Sequence, residues 1–201
     1  MTSVLIVDDH ASVRAGIEAF LEAESDLSVT AAVATAAQAD SACAAHRPDV
    51  LVADYHLPDE DGLTLCLRLG GRGGPPVVLF SAFADESLGL LAMIAGARAM
   101  VSKSSDPRDL IAAVHAVARG ERAMPAAGAR ALRAAGERLD GDDLPVLGML
   151  AHGVPPAEIA QTLGIEERWL VARRRAMLEL LRRRPRRGSP GEAGGRRVRA
   201  A

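Results

Sequence analysis

Residues 50–62, Val-Leu-Val-Ala-Asp-Tyr-His-Leu-Pro-Asp-Glu-Asp-Gly, are the stretch that decides the fold of this chain. Val50 to Ala53 is a short apolar run, typical of a strand buried in a parallel sheet. Such a strand places Asp54 at its carboxyl end, where ligands bind in open α/β sheets. A tight loop follows, because Pro58 fixes φ and Gly62 allows a close backbone approach. Asp54 is therefore a candidate for metal binding or chemistry, although a lone acid here would more often be a charged strand cap.

Similar segments lie on both sides of this strand, with apolar runs that predict strands and helical spacing that predicts helices. The strands are predicted at Val4–Val7, Leu27–Val33, Val50–Ala53, Val77–Phe80 and Ala99–Val101, and the helices at Val13–Leu21, Ala36–His46, Leu63–Leu69, Glu86–Ala95 and Pro107–Arg119. Regular alternation over residues 1–120 predicts an α/β fold, a doubly wound five-stranded parallel sheet of the flavodoxin-like type.

The charge of the chain is divided unevenly between its two parts. The 201 residues have a formal net charge of −2, but residues 1–120 hold 8 basic and 16 acidic side chains, and residues 121–201 hold 16 basic and 10 acidic ones. An acidic first part and a basic second part suggest two roles, the second one with nucleic acid or an acidic partner. Since 49% of residues are hydrophobic and only 2% aromatic, the core must consist mainly of Ala, Val, Leu and Ile.

Nothing in the sequence indicates secretion or a membrane. The first residues lack the basic and apolar regions of a signal peptide, and no apolar run approaches the ~18 residues of a membrane span. Cys43 and Cys66 form no metal-binding or redox motif, so we interpret them as small buried side chains in a reducing compartment. We therefore expect a soluble, cytoplasmic protein with no membrane partner.

The second part of the chain predicts a small all-α domain. Residues 121–138, rich in Ala, Arg and Gly, are interpreted as a linker that can be helical. Residues 139–184 contain three short helical segments separated by Gly and Pro, and the last segment, from about Glu166 to Leu181, is rich in arginine. We interpret residues 185–201 as a disordered basic tail.

Acidic, hydroxyl and basic side chains follow the predicted strands. The residues at these strand ends are Asp8, Asp9, Asp54, Ser81 and Lys103. Three carboxylates in one cleft repel each other unless a hard cation such as Mg²⁺ lies among them. A lysine and a hydroxyl beside them suit a phosphoryl group, so the set predicts a carboxylate that accepts phosphate next to Mg²⁺. Each residue alone has an ordinary explanation, but all five at the right strand ends are hard to obtain by chance.

These motifs resemble the receiver domain of bacterial two-component response regulators over residues 1–120. The resemblance rests on Val7-Asp8-Asp9-His10, on Asp54 to Gly62, on Ser81-Ala82 and on Lys103. It implies Asp54 as phosphoacceptor, Ser81 as switch hydroxyl and Lys103 as the lysine that contacts phosphate. It implies a metal site formed by Asp8, Asp9, Asp54 and the backbone carbonyl of His56. One position differs from the family's pattern: Met100 occupies the place where the family usually has the aromatic switch residue. This difference would weaken the coupling of phosphorylation to the protein surface unless Met fills the same space.

The second part resembles the helix-turn-helix of NarL/FixJ regulators, also called LuxR-type. The match is carried by the segments Val146–Gly153 and Glu158–Ile165. It implies that the last helix enters the major groove of DNA. The predicted DNA contacts are Arg168, Arg173, Arg174 and Arg175, although a run of arginines can also be a solvated face. Val171 replaces the family's usual lysine. Trp169 either packs against the preceding helix or lies at the DNA surface, and packing is the favoured interpretation for a single large aromatic side chain.

The main hypothesis is a transcriptional response regulator that a sensor histidine kinase phosphorylates on Asp54. Phosphorylation would make or release a homodimer that binds promoter DNA, and no enzyme activity is expected. The alternative is a receiver whose degenerate helical domain binds protein instead of DNA, as Trp169, Val171 and Met100 suggest. A metal-dependent phosphohydrolase is a weaker third hypothesis, because the chain shows no cap domain or second catalytic acid.

Overall fold

The computed structural model describes residues 1–125 and 127–183, which fold into a sheet domain followed by four further helices. The strands are β1 Thr2–Val7, β2 Leu27–Val33, β3 Val50–Asp54, β4 Val77–Ser81 and β5 Ala99–Ser102. The helices of the sheet domain are α1 Ala11–Glu22, α2 Ala36–His46, α3 Gly62–Gly70, α4 Glu86–Ala95 and α5 Pro107–Ala118. They are followed by α6 Ala129–Gly136, α7 Asp143–Ala151, α8 Pro156–Leu163 and α9 Glu167–Arg182.

The sheet is parallel throughout and has the strand order β2-β1-β3-β4-β5. The predicted five-stranded doubly wound fold is thus confirmed, and the predicted element bounds agree to within two residues. Strand order reverses between β1 and β3, so the carboxyl ends of these two strands border the crevice where ligands bind in such sheets. Asp8 follows one of these strands, and Asp54 ends the other.

Alternating side chains divide the core into two layers, one on each face of the sheet. Val4 and Ile6 of β1 pack with the apolar sides of α1 and α5, which include Leu21 and Val114. Leu5 of β1 points to the opposite face and belongs to the cluster formed with α2, α3 and α4. This period of two, with both faces covered, is what a central parallel strand requires.

Helices α7, α8 and α9 form a three-helix domain that packs against the sheet domain on the side of α3 and α4. Buried side chains of α7, α8 and α9, among them Val146, Ile159 and Met177, belong to the same continuous cluster as those of α3 and α4. Helix α9 contacts both α3 and α4. The domain predicted to bind DNA therefore lies with its last helix against the first domain in this structure.

The connection between the domains is partly ordered by the sheet. Ala123 forms a parallel bridge with Ala99 of β5, and its amide donates to the carbonyl of Arg98 at 2.8 Å. Helix α6 lies in the segment predicted as a linker that can be helical. The predicted disordered tail, residues 185–201, lies outside the described residues, and the predicted domain end at residue 184 does too. Within the described residues, no helix is both long and apolar enough to cross a membrane.

Candidate functional site

Acidic side chains converge at the carboxyl edge of the sheet, as the parallel topology requires. Ligand atoms of Asp8, Asp9, His10 and Asp54 all lie within 4.8 Å of one another. Asp8 and Asp54 are almost fully buried, with 1% and 5% of their surface exposed. Burying two carboxylates together is unfavourable unless positive charge or hydrogen bonds compensate them. The cluster therefore points to a cation as a permanent or transient neighbour.

Lys103 supplies that positive charge in this structure. Its Nζ lies 2.6 Å from Oδ2 of Asp8 and 2.9 Å from Oδ2 of Asp54. Burial lowers the pKa of Lys103, but the hydrogen bonds and charges of the two aspartates outweigh it, so the pKa is raised overall. The ammonium also lies 5.8 Å from the centre of the Phe80 ring. An ammonium that bridges two buried carboxylates is well placed to hold an anionic group transferred to either one.

Contacts with His10 and Arg14 fix the first acids of the cluster. The amide of His10 donates to Oδ1 of Asp8 at 2.9 Å, and the His10 ring lies 2.5 Å from Oδ1 of Asp9. Arg14 donates to the carbonyl of Asp8 at 2.5 Å. His10 was not among the predicted metal ligands, although its position directly after the two acids was the signal that could have included it.

Ser81 ends β4 next to this cluster and is fully buried. Its Oγ accepts a hydrogen bond from the amide of Phe83 at 3.2 Å, which fixes the start of the β4–α4 loop. Its carbonyl accepts a hydrogen bond from the amide of Lys103 at 2.8 Å, so the two predicted phosphate contacts are linked through the backbone.

Met100 is buried beside α4, where its Cε would lie 3.4 Å from a Cβ placed on Gly89. Methionine thus occupies space between strand and helix, as expected of a flexible apolar replacement.

The loop after Asp54 folds back over the residue that precedes it. The amide of Gly62 donates to the carbonyl of Tyr55 at 2.8 Å, and His56 bridges to Asp61. A Cβ added to Gly62 would overlap the backbone carbonyl oxygen of Asp54. The loop can therefore take this path only because Gly62 has no side chain, as the sequence suggested.

The three acids of this loop each have a structural partner, which the sequence did not predict. Asp59 accepts the amides of Ala36 and Ala37 at 3.0 and 2.9 Å, capping α2. Glu60 pairs with Arg68 of α3. These roles exclude the two acids from the carboxylate cluster and leave Asp54 as the acid of this segment that faces Lys103.

Asp61 connects the loop to the far end of the chain. Its Oδ1 accepts the amide of Thr64 at 2.9 Å, capping α3, and also receives a hydrogen bond from Arg182 at 2.7 Å. Arg182 is the last residue of α9. The loop that covers Asp54 is thereby tied to the predicted DNA-reading helix by an ion pair whose members are 121 positions apart.

The four arginines predicted to contact DNA have four different environments. Arg168 is exposed and pairs with Glu166. Arg173 pairs with Asp143 of α7, and Arg175 is exposed without an ion pair among the described residues. Arg174 is only 3% exposed and lies against the end of α4, where its Nε donates to the carbonyl of Ile94 at 2.6 Å. In this arrangement Arg168 and Arg175 are exposed to solvent, whereas Arg174 is covered by the first domain.

Trp169 does not take the buried position that the favoured interpretation gave it. It is 43% exposed, and the guanidinium of Arg173 stacks 5.3 Å from its ring centre. The next residue, Leu170, takes the buried position in the helix and is 1% exposed. The favoured interpretation of Trp169, packing against the preceding helix, is wrong because the buried apolar side of the helix runs through Leu170, about 100° away from Trp169.

The acidic cluster has the chemistry of a site for a hard divalent cation. Carboxylate oxygens from Asp8, Asp9 and Asp54 are the ligands that Mg²⁺ prefers, and their separation permits one ion to reach all three. The predicted contribution of the His56 carbonyl stays a prediction. The donor set present therefore fits the predicted cofactor.

Comparison with known proteins agrees with this geometry. The family model "Response regulator receiver domain" matches residues 4–115, a segment that contains every strand end described above. The chain is 33% identical over 180 residues to the DNA-binding transcriptional activator DevR/DosR of Mycobacterium tuberculosis, covering 84% of this chain and 82% of that protein. It is 32% identical over 182 residues to the transcriptional regulatory protein UhpA of Salmonella typhimurium, covering 90% and 92%.

A solved structure is similar at the level of the backbone. A LuxR-family two-component response regulator from Aurantimonas sp. SI85-9A1 superposes with a TM-score of 0.59 and 31% sequence identity. The match covers 70% of this chain and 99% of that one. The similarity therefore extends past the sheet domain.

Proposed function

Because this chain belongs to the response-regulator family of two-component systems, we propose that it is a DNA-binding transcriptional regulator controlled by phosphorylation of Asp54. Its phosphodonor is a sensor histidine kinase, its second partner is promoter DNA, and we expect it to act in the cytoplasm. The observation that carries the proposal is the buried pair of Asp8 and Asp54 bridged by Lys103. The other groups of the site act around this pair.

The side chains of the pocket divide the work of phosphoryl transfer. An oxygen of Asp54 attacks the phosphorus of the phosphohistidine donor, and the histidine leaves as the phosphoryl group becomes an acyl phosphate. Lys103 then exchanges its contact with Asp54 for one with the phosphoryl oxygens, which together carry a charge of about −2. Mg²⁺ held by Asp8, Asp9 and Asp54 would supply further charge neutralisation. The hydroxyl of Ser81 donates a hydrogen bond to the new group.

The packing of α9 on the first domain makes the described arrangement a closed state. Arg174 and the apolar side of α9 face α3 and α4, so the domains must separate before the whole basic helix can enter a groove. Asp61 provides a short route from Asp54, since it lies in the loop that folds over Asp54 and binds Arg182. A shift of this loop on phosphorylation would weaken the ion pair and favour an open state, which then dimerises on paired half-sites.

Breaking the Asp61–Arg182 ion pair should favour the open state. The rate at which Cys66 is alkylated measures this opening. The Cys66 thiol lines the cleft between the domains, is 2% exposed, and has its pKa raised to about 12 by burial. In a Cys43→Ser background, Asp61→Asn should increase the rate of Cys66 alkylation roughly threefold to fivefold, as expected for a part-exposed ion pair of up to ~1 kcal/mol. Asparagine keeps the cap of α3. Peptide mapping after timed iodoacetamide treatment measures the rate.

The matched control is Arg119→Gln. Arg119 forms an exposed ion pair with Glu121 that does not involve α9. Arg182→Gln should reproduce the effect of Asp61→Asn, and combining the two should add little. If Arg119→Gln accelerates alkylation as much as Asp61→Asn does, the ion pair has no special role in holding α9.

DNA binding should depend on the exposed arginines of α9. In a fluorescence titration with promoter DNA from upstream of the chain's own gene, Arg175→Ala should weaken binding and reduce the slope of log Kobs against log salt by about 1. Arg130→Ala, an exposed arginine of α6, is the matched control and should leave the slope unchanged. A slope that no α9 arginine alters would contradict the assignment of α9 as the DNA-reading helix.

A second candidate is a receiver whose helical domain binds protein. It is favoured by the intramolecular partners of Arg168, Arg173 and Arg174, and by the exposed ring of Trp169. Selection from a random DNA pool separates the two candidates. Enrichment of a defined sequence by the phosphorylated protein supports DNA recognition, whereas no enrichment, together with a protein partner lost on Trp169→Ala, supports the alternative.

A further inference from the structure

Arg174 is a buried cation that meets no acid within ion-pair distance in residues 1–125 and 127–183. Its surface is 3% exposed, and among the described residues its only hydrogen bond runs from Nε to the carbonyl of Ile94. That carbonyl belongs to the last turn of α4, whose dipole compensates a small part of the charge. Arginine cannot lose its proton in a protein, so a buried guanidinium needs an acid, a bound anion or water.

The guanidinium lies on the wall of a cleft between the two domains. This cleft has a cavity of about 460 Å³, within the size range of sites for small organic ligands. Its basic residues are Arg98, Arg122, Arg168 and Arg174, and the one acid among its described lining residues is the exposed Glu167. Arg168 already pairs with Glu166, but Arg98 and Arg122 have no ion pair in the part of the chain that the structure describes. Within the part of the chain that the structure describes, three guanidinium groups without an ion pair therefore share one cavity.

The arginines are held in place by backbone on both sides of the cleft. Nη1 of Arg122 donates to the carbonyl of Leu150 in α7 at 3.3 Å. The guanidinium of Arg174 fits over Gly96, where a Cβ would overlap it. Arg98 is close enough to Arg122 to add to the effect of burial in lowering the pKa of Arg122. Two like charges kept together in this way indicate space reserved for an anion.

We propose that this cleft binds a small molecule that carries a phosphate or diphosphate group. Guanidinium forks match phosphate oxygens in pairs, and three of them suit an anion with at least two charges. Pro75, Pro156 and Leu170 give the cleft an apolar wall for the remainder of the molecule. The ligand bridges Arg98 and Arg122 of the first domain and linker to Arg174 of α9, so it holds the domains closed. That consequence rests on the proposed DNA-binding function, whereas binding itself does not.

Calorimetry of the full chain with inorganic pyrophosphate, without Mg²⁺ and with EDTA, tests the site directly. Arg122→Gln and Arg174→Gln should each weaken pyrophosphate binding roughly tenfold or more, the loss typical of one charge-assisted hydrogen-bonding group. Arg175→Gln removes the same charge from the exposed side of α9 and should leave affinity unchanged. Lys103→Met removes the cation of the carboxylate pocket and so tests whether pyrophosphate binds there instead of in this cleft. It should also leave the affinity for pyrophosphate unchanged. Orthophosphate and sulfate, titrated in parallel, show whether a single dianion suffices.

Protection of Cys66 gives a second readout that does not depend on heat of binding. Cys66 lines the same cleft, so pyrophosphate should slow its alkylation in the Cys43→Ser background, and Arg122→Gln should abolish the protection. Equal affinity of wild type, Arg122→Gln and Arg174→Gln, or no saturable binding, would overturn the proposal. Saturable binding that leaves promoter affinity unchanged would retain the site and refute its effect on DNA binding.

Discussion

Asp54→Asn takes up no phosphoryl group from a small acyl-phosphate donor and Mg²⁺, whereas the wild-type chain gains one. The amide has the size of the carboxylate but is not a nucleophile for phosphorus, so the expected effect is complete loss. Lys103 keeps its contact with Asp8 in the variant, which preserves one of the two ion pairs of the pocket. Intact-protein mass spectrometry measures the uptake. Release of the group by hydroxylamine identifies an acyl phosphate and excludes a phosphoester on Ser81.

The matched control is Asp59→Asn, five positions along the same loop. Asp59 caps α2 through the amides of Ala36 and Ala37, and asparagine is also a good cap. This variant should therefore be phosphorylated like the wild type. Hydroxylamine-sensitive phosphate on the Asp54→Asn chain, or equal loss in both variants, would show that the buried carboxylate is not the acceptor.

The parts of the fold that follow from local periodicity were predictable. Apolar runs of four or five residues alternate with helical spacing, and alternation of this kind leaves few arrangements besides a parallel doubly wound sheet. Once the strands are parallel, their carboxyl ends share an edge. Asp8, Asp54 and Lys103 could therefore be placed together from the amino-acid sequence alone, and the ion pairs among them follow from that edge.

The docking of α9 could not be predicted in the same way. Which surface of the first domain covers a second domain depends on shape and on contacts between residues distant in sequence, and neither leaves a periodic signal. One local sign did exist. Leu170, Arg174, Met177 and Leu178 follow the i, i+4, i+7, i+8 spacing of a buried stripe, and all four are buried. Arg174 occupies a position of this stripe where an apolar side chain is expected. This placement distinguishes it from Arg173 and Arg175, which lie outside the stripe.

The acids of the β3–α3 loop show a second limit of sequence reasoning. Asp59, Glu60 and Asp61 are alike in charge and adjacent, yet their roles differ: Asp59 caps α2, Glu60 pairs with Arg68 of α3, and Asp61 both caps α3 and binds α9. Their directions are determined by the fold of the loop over Asp54, which depends on Gly62. Composition could identify the loop as acidic, but only the path of the backbone separates a helix cap from a contact with α9.

Gly62→Ala should strongly destabilise the chain, because the backbone of β3 fills the space that a side chain would need. A Cβ at this position overlaps the carbonyl oxygen of Asp54 and lies 3.0 Å from Cδ1 of Leu79, and both of these residues are buried. Backbone cannot move aside as a flexible side chain can, so either β3 or the start of α3 must shift. We expect a loss of about 3 kcal/mol or more in the free energy of unfolding, at the upper end for overpacking.

Gly16→Ala is the control that separates this clash from the general effect of replacing glycine. Gly16 lies within α1, where a Cβ would meet no other described atom within 4 Å apart from its chain neighbours and the nearby backbone of its own helix, and alanine there should stabilise the helix by up to about 1 kcal/mol. In thermal unfolding followed by circular dichroism, the Tm of Gly62→Ala should be lower than that of the wild type by roughly 6–12 °C. The Tm of Gly16→Ala should be equal to that of the wild type or higher. A Gly62→Ala chain as stable as the wild type would mean that the loop does not close over Asp54 as described. The route from Asp54 through Asp61 to Arg182 would then lose its structural basis, because that route depends on the same turn.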